Sequence, residues 1–177
     1  MRPSALSIVL LLFVCGGLLS QNKEQPSTWG GARFGMTEAA AKTLFGQTVS
    51  RPSSDEQLVN SRDAYVGAIV KPVDLHGMSG FASLIFGTET KRLVQINLSF
   101  QLDKASSSER RNMLAGLLKE DLSGKYGTPI STENCADGVF SCGMTWRSVG
   151  QTIKMDILGG NNPLMIIVLY RPVSDKL

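Results

Sequence analysis

The chain has 177 residues, of which 42 % are hydrophobic and 19 % charged, and its formal net charge is +3. This length fits one domain with a single core, and neither the small net charge nor any run of Lys and Arg predicts nucleic-acid binding. The basic residues near the second predicted helix alternate with Glu109, Glu120 and Asp121, which is typical of a solvated helix face.

Residues 1–20 have the pattern of a secretory signal segment. Arg2 supplies a positive start, Ala5 to Val14 are mostly apolar, and we expect cleavage after Ser20. Residues 21–28 are polar and predict a flexible tether, so that a single domain occupies residues 29–173. The expected location is therefore the periplasm or the outside of the cell.

Two alternatives for this segment stay open. The stretch from Pro3 to Asn22 has no charge and is long enough to remain in the membrane as an uncleaved anchor. Cys15 closes the apolar run where bacterial lipoproteins are acylated, which would make the protein a membrane-anchored lipoprotein. Val14 argues against lipidation, because a small residue is expected at that position.

The first half of the domain predicts one short helix and three strands. Thr37 is a good N-cap and Gly46 a good end for a helix over Glu38 to Phe45. A loop follows from Gln47 to Asp63. Next come two strands, Ala64 to Val70, which Pro72 is expected to break, and Gly80 to Phe86.

The third strand has the clearest pattern in the chain. Val94, Ile96, Leu98, Phe100 and Leu102 alternate with Gln95, Asn97, Ser99 and Gln101, which predicts one buried face and one polar face. The polar face carries no charge. Its four residues are therefore our candidate binding face, and the alternative is an ordinary solvated sheet face.

A long amphipathic helix is predicted from Ser107 to Leu122. Ser106 and Glu109 have capping-box spacing, and apolar residues recur at helical intervals after them. Gly116 lies inside this helix, and we attribute it to close packing on the sheet. The segment Lys125 to Pro129 is expected to terminate the helix.

Cys135 and Cys142 are an even pair in a segment with turn character, once Cys15 is removed or acylated. A local disulfide is the expected pairing in an exported protein. The alternative is that both are ligands of a metal site, but no CxxC spacing or nearby histidine completes one.

Three further strands are predicted from Gly143 to Val149, Gln151 to Leu158 and Leu164 to Tyr170. The whole pattern predicts an α+β fold, a two-layer sandwich in αββ-αβββ order. An antiparallel sheet of five to six strands carries both helices on one face.

Two motifs carry a resemblance to known proteins. The segment Trp29 to Glu38 reads WGGARFGMTE and Lys125 to Pro129 reads KYGTP, and both are similar to motifs of a group of uncharacterised bacterial periplasmic or lipoprotein domains. The helix-then-sheet plan also resembles lipoproteins of the SmpA/OmlA type and β-lactamase-inhibitor-like proteins. The resemblance implies a fold and a compartment rather than an activity.

The residues available for catalysis are few, so we predict no enzymatic activity, no cofactor and no metal site. His76 is the sole histidine and is expected in a turn. Lys154 and Asp156, with Arg147 on the preceding strand, are expected to form a cross-strand ion pair on the solvated face.

The function expected from these patterns is non-enzymatic binding of a protein or lipid component of the cell envelope, with no nucleic acid involved. The membrane is contacted only through a retained anchor or lipidation. One alternative is a binder of small molecules or lipids, with a pocket between the sheet and the segment Gln47 to Gly77. The other is an envelope hydrolase that uses Asp156 or His76.

Overall fold

A computed structural model describes residues 27–53, 63–133, 141–159 and 163–173. They form two α-helices, eight β-strands and two short 3-10 turns at Trp29–Gly31 and Gly46–Thr48. The helices and strands in chain order are α1 (Glu38–Phe45), β1 (Val49–Ser50), β2 (Ala64–Leu75), β3 (Met78–Gly87), β4 (Leu93–Gln101), α2 (Ser108–Tyr126), β5 (Ser131–Glu133), β6 (Ser141–Ser148), β7 (Gln151–Leu158) and β8 (Met165–Pro172).

All eight strands belong to one sheet in the order β1-β2-β3-β4-β8-β7-β6-β5, and each neighbouring pair is antiparallel. The chain thus consists of two units of the same plan, a helix followed by four strands, which join where β4 pairs with β8. The predicted α+β class with an antiparallel sheet is confirmed. The predicted count of five to six strands is wrong, because β1 and β5 have two and three residues and are too short to show an alternating pattern.

Both helices cover the same face of the sheet. Ala41 of α1 and Leu114, Leu118 and Leu122 of α2 belong to one apolar core together with alternate residues of the strands. The largest fully buried side chains of that core include Trp146, Phe86, Phe100, Leu84, Ile96, Ile153, Met155 and Ile166. The molecule is a two-layer structure whose core lies between the helices and the sheet.

The start of β4 departs from the predicted alternation. Leu93 is buried in the helix-side core, whereas Val94 packs with Val66, Ile69 and Ile85 on the other side of the sheet. The pairing of β3 with β4 shifts register next to Ile85. The prediction that Val94 shares a face with Ile96 is wrong, because a shift of one residue turns every side chain before it to the opposite face.

Pro72 does not end the second strand. β2 continues to Leu75, and its pairing with β3 shifts register between Val70 and Val73. The proline therefore lies at an irregularity, where its missing N–H interrupts the ladder least. His76 and Gly77, both with positive φ, form the turn to β3.

The opening motif fastens α1 to the start of β4. The Gly35 N–H donates to the carbonyl of Leu93 at 2.8 Å, and the Leu93 N–H donates to that of Met36 at 2.9 Å. Gly35 has a φ of 81°, a conformation that glycine adopts without steric cost. Thr37 caps α1, since its hydroxyl oxygen accepts the Ala40 N–H at 3.2 Å.

The first turn of α2 contains a buried arginine. Ser107, rather than Ser106, is the N-cap, and its hydroxyl oxygen accepts the N–H of Arg110 at 3.3 Å. Arg111 is 5 % exposed, and its Nη1 donates to the carbonyls of Asp103 at 2.9 Å and Lys104 at 3.1 Å, and to that of Ser106. Arg111 is therefore not part of a solvated face, and it fixes the segment that leads from β4 into α2.

Gly116 lies in α2, and a Cβ built on it would meet no atom within 4 Å. The expectation that it permits close packing on the sheet is wrong. Its residual effect is the conformational entropy that glycine loses in a helix.

We expect Gly116→Ala to raise the free energy of unfolding by about 1 kcal/mol, since alanine fits the space and favours the helix. Urea denaturation of the wild type and the variant measures the difference. Gly80→Ala is the matched control, because its Cβ would lie 2.2 Å from the Ser99 carbonyl oxygen and must destabilise the sheet. A destabilised Gly116→Ala protein would contradict the open space at this position.

Candidate functional site

The sheet has a second side, which faces away from the helices. We call the part of it on β4, β8, β7 and β6 the outer face. Its residues are Gln95, Asn97, Ser99, Gln101, Met165, Ile167, Leu169, Arg171, Thr152, Lys154, Asp156, Leu158, Thr145 and Arg147. Antiparallel pairing places them in rows across the strands, one of which runs from Asn97 through Leu169 and Lys154 to Thr145.

All four residues of the predicted binding face lie on this side of β4. Gln95 is held on both ends of its amide, because Nε2 donates to Asn97 Oδ1 at 2.5 Å and Oε1 accepts from Arg171 Nε at 2.6 Å. Asn97 is only 8 % exposed, so it contributes little contact area. Gln101 is exposed and Ser99 is partly exposed.

Two charges of the outer face pair along one strand. Lys154 Nζ lies 3.1 Å from Asp156 Oδ1, two residues further on β7. The expected cross-strand pair is therefore wrong, and Arg147 lies opposite Thr152 instead. Lys154 and Asp156 offset each other, and the other two charges, Arg171 and Arg147, lie in one row at an end of the outer face, on either side of Thr152. The charge of the outer face is therefore concentrated at that end and not at its centre.

The same side of β2 and β3 carries a second apolar cluster. Val66, Ile69 and Ile85 are at most 5 % exposed, and Phe81 and Val94 pack against them. Contact surface is therefore offered mainly by β4, β8, β7 and β6. The sequence indicates the apolar cluster on β2 and β3, because these strands have apolar residues at successive positions, as strands buried on both faces do.

His76 and Asp156, the residues of the hydrolase hypothesis, are not brought together. His76 Nε2 lies 2.7 Å from Asp121 Oδ2 of α2, on the helix side, whereas Asp156 is on the outer face. In the described ranges no group of three or more His, Cys, Asp and Glu could hold a metal ion. The His76–Asp121 contact ties the β2–β3 turn to α2.

Of the cysteines in our predictions, the structure describes only Cys142. Cys142 lies in β6 and is disulfide-bonded. Cys135 lies outside the described residues, as do Cys15 and the signal segment, so the pairing of Cys135 with Cys142 stays a prediction. Within the residues that the structure describes, neither helix is long and apolar enough to cross a membrane.

A contact that the sequence did not reveal joins α1 to β2. The Tyr65 hydroxyl donates to Glu38 Oε1 at 2.5 Å, and this hydrogen bond, with some burial, raises the pKa of Tyr65 to about 12. Lys42 Nζ lies 3.8 Å from Glu38, and Lys91 Nζ lies 4.9 Å from the centre of the Tyr65 ring. Residues 38 and 65 are 27 positions apart, so no local pattern could show that they meet.

A groove of about 400 Å³ lies on the helix side, between α2 and the last four residues of β2. We call it the helix-side groove. Pro72 to Leu75 belong to the segment Gln47 to Gly77, where a pocket was expected, but the opposite wall is α2. Trp29, from the opening motif, also lines it.

No family model, no curated protein and no solved structure compared with this chain matches it significantly. The resemblance to periplasmic and lipoprotein domains therefore stays a prediction. What can be said of function has to come from the surfaces and contacts of the molecule.

We expect Tyr65→Phe to lower the free energy of unfolding at neutral pH by about 1 kcal/mol, since one hydrogen bond is lost. The pKa of Tyr65 is raised in the folded state, so its contribution is present below pH 10.0 and is lost as the pH rises through about 12. Urea denaturation of the wild type at pH values across this range measures the loss of stability. Tyr65→Phe is expected to show no such loss.

The control for this prediction is Glu38→Gln, which keeps an acceptor but removes the charge. A titration of tyrosinate absorbance is expected to place Tyr65 closer to its ordinary pKa in this variant. An unchanged titration would show that Glu38 does not set the pKa of Tyr65.

Proposed function

We propose that this protein is an exported, non-enzymatic binding protein whose outer face contacts a protein of the cell envelope. The observation that carries the proposal is the placement of both helices on one side of the sheet, while Ser99, Ile167, Leu169, Thr152 and Thr145 lie partly exposed on the other. These side chains are aliphatic or polar without charge. Such a mixture, with few charges at its centre, is typical of protein–protein contact surfaces.

The size of the outer face is sufficient for a specific contact. The four strands of the outer face have eight or nine residues each, and at the usual strand spacing and rise they cover roughly 500 Å² in projection. The accessible area of side chains exceeds the projected area, and a standard interface buries about 800 Å² on each partner. A partner could therefore bind on the outer face with little use of the loops.

Binding through the sheet edges is disfavoured by their irregularity. β1 and β5 have two and three residues, and the strand inside β1, β2, has two register shifts and Pro72, so neither edge offers a long regular row of backbone groups to an added strand. We therefore favour contact through side chains of the outer face, with Ile167 and Leu169 near its centre.

Two observations support export and the absence of catalysis. The disulfide at Cys142 fits an oxidising compartment, as the signal pattern of residues 1–20 does. The hydrolase hypothesis would use Asp156 or His76, and each has a structural partner, since His76 contacts Asp121 and Asp156 contacts Lys154.

We expect Leu169→Arg to weaken partner binding by about 2 kcal/mol, or about 30-fold in Kd, because Leu169 lies at the centre of the outer face. The mature chain is immobilised and exposed to envelope extract, and the recovered partner is then purified for titration. Met113→Arg is the matched control, since Met113 is 55 % exposed on α2.

Recovery of the same partner by the wild type and by Met113→Arg, but not by Leu169→Arg, is the expected result. If the folded domain recovers no partner, or if Leu169→Arg binds as well as the wild type, the proposal is wrong. Far-ultraviolet circular dichroism confirms that each variant is folded.

A further inference from the structure

The helix-side groove is a second site, separate from the outer face. Its floor consists of core residues of the sheet, among them Phe100 and Val168, which are fully buried, and Tyr170, which is 4 % exposed. Protein interiors are close-packed, so a space of about 400 Å³ between a helix and a sheet is larger than ordinary packing leaves. It lies within the range of about 300–1,000 Å³ that is usual for small-molecule sites.

The groove changes from apolar to charged along its walls. Leu118 and Leu122 are at most 5 % exposed and continue the apolar floor, whereas Asp121 and Lys125, on the same part of α2, are exposed. On the opposite wall Asp74 is also exposed. A ligand that fits these surfaces has an apolar body and one polar end.

The charges at the mouth favour a cation at that polar end. Among the described lining residues there are two carboxylates, Asp74 and Asp121, and one ammonium group, that of Lys125. Lys125 Nζ is held 5.1 Å from the centre of the Tyr126 ring. Asp121 already contacts His76, which keeps the carboxylate in place beside the groove.

Aromatic rings add to this preference. Trp29 lines the groove with its ring stacked on Phe45 at 5.5 Å, and Tyr170 lines the floor. Aromatic faces attract ammonium groups and not carboxylates. Burial, with Tyr126 nearby, raises the pKa of Tyr170, so its hydroxyl brings no negative charge of its own.

We infer that the helix-side groove binds an amphipathic cation, a molecule with an alkyl or aromatic body and an amine or quaternary ammonium head. The body lies on Leu118, Phe100 and Val168, and the head lies at the mouth beside Asp74 and Asp121. This site does not depend on the proposed outer-face contact, and either can fail without the other.

Three probes of equal chain length test the inference: decylammonium, decanol and decanoate, each below the concentration at which it aggregates. Calorimetric titration of the mature chain is expected to show decylammonium binding about tenfold more tightly than decanoate, with decanol between them. The double variant Asp74→Asn, Asp121→Asn is expected to bind decylammonium no better than decanol, while its affinity for decanol is unchanged.

A variant that fills the helix-side groove tests whether the probes bind there. Val73→Trp fills the groove from β2 and is expected to abolish binding, whereas Val149→Trp, the same change at a valine that is 80 % exposed, leaves it intact. Tryptophan emission gives a second readout, because Trp29 lines the groove and Trp146 does not. In Trp29→Phe the emission change on binding is expected to disappear.

The inference is overturned if none of the probes binds to the folded wild type, or if decanoate binds as tightly as decylammonium. It is also overturned if folded Val73→Trp and Val149→Trp bind alike. Should Val73→Trp not fold, the aspartate double variant still decides, since equal decylammonium affinity in that variant and in the wild type overturns the charge assignment.

Discussion

The pairing of β4 with β8 is the interaction on which the whole structure depends. Each unit of one helix and four strands ends in a long strand, and these two strands pair from Ile96 opposite Tyr170 to Gln101 opposite Met165. Without this pairing both strands would be exposed edges, and each helix would cover only half of an apolar face. With it, a single core runs beneath both helices, and one continuous surface lies on the other side.

The two units have the same plan but unequal helices, and the inequality creates the groove. α1 has eight residues and ends at Gly46, whereas α2 has nineteen and extends to Tyr126. The shorter helix leaves part of the sheet beside α2 without a helix over it, and Trp29 and the end of β2 line that part. Side chains there do not fill the space up to α2, so the helix side has a groove while the other side of the sheet is a continuous surface.

Local signals in the sequence predicted the helices well and the sheet less well. The bounds of α1 followed from Thr37 and Gly46, since a cap acts within one turn. The polar face of β4 followed from its alternation. The side of the sheet on which Val94 lies did not, because it depends on a register shift against another strand. Gly116 shows the same limit, because the presence of a glycine in the sequence does not tell whether the space beside it is open or filled. The groove brings together α2, β2 and Trp29, which lie far apart in the chain, and no local pattern could have shown it.

The brevity of the outermost strands has a consequence for the behaviour of the protein in concentrated solution. Fibres grow when copies stack their main chains in register along a long, flat rim. The rims here are the short strands β1 and β5, and the long strand next to β1, β2, is interrupted by two register shifts and Pro72, so neither rim is a long, flat template. Crowded copies of this chain are therefore expected to meet through their side chains and to separate again on dilution.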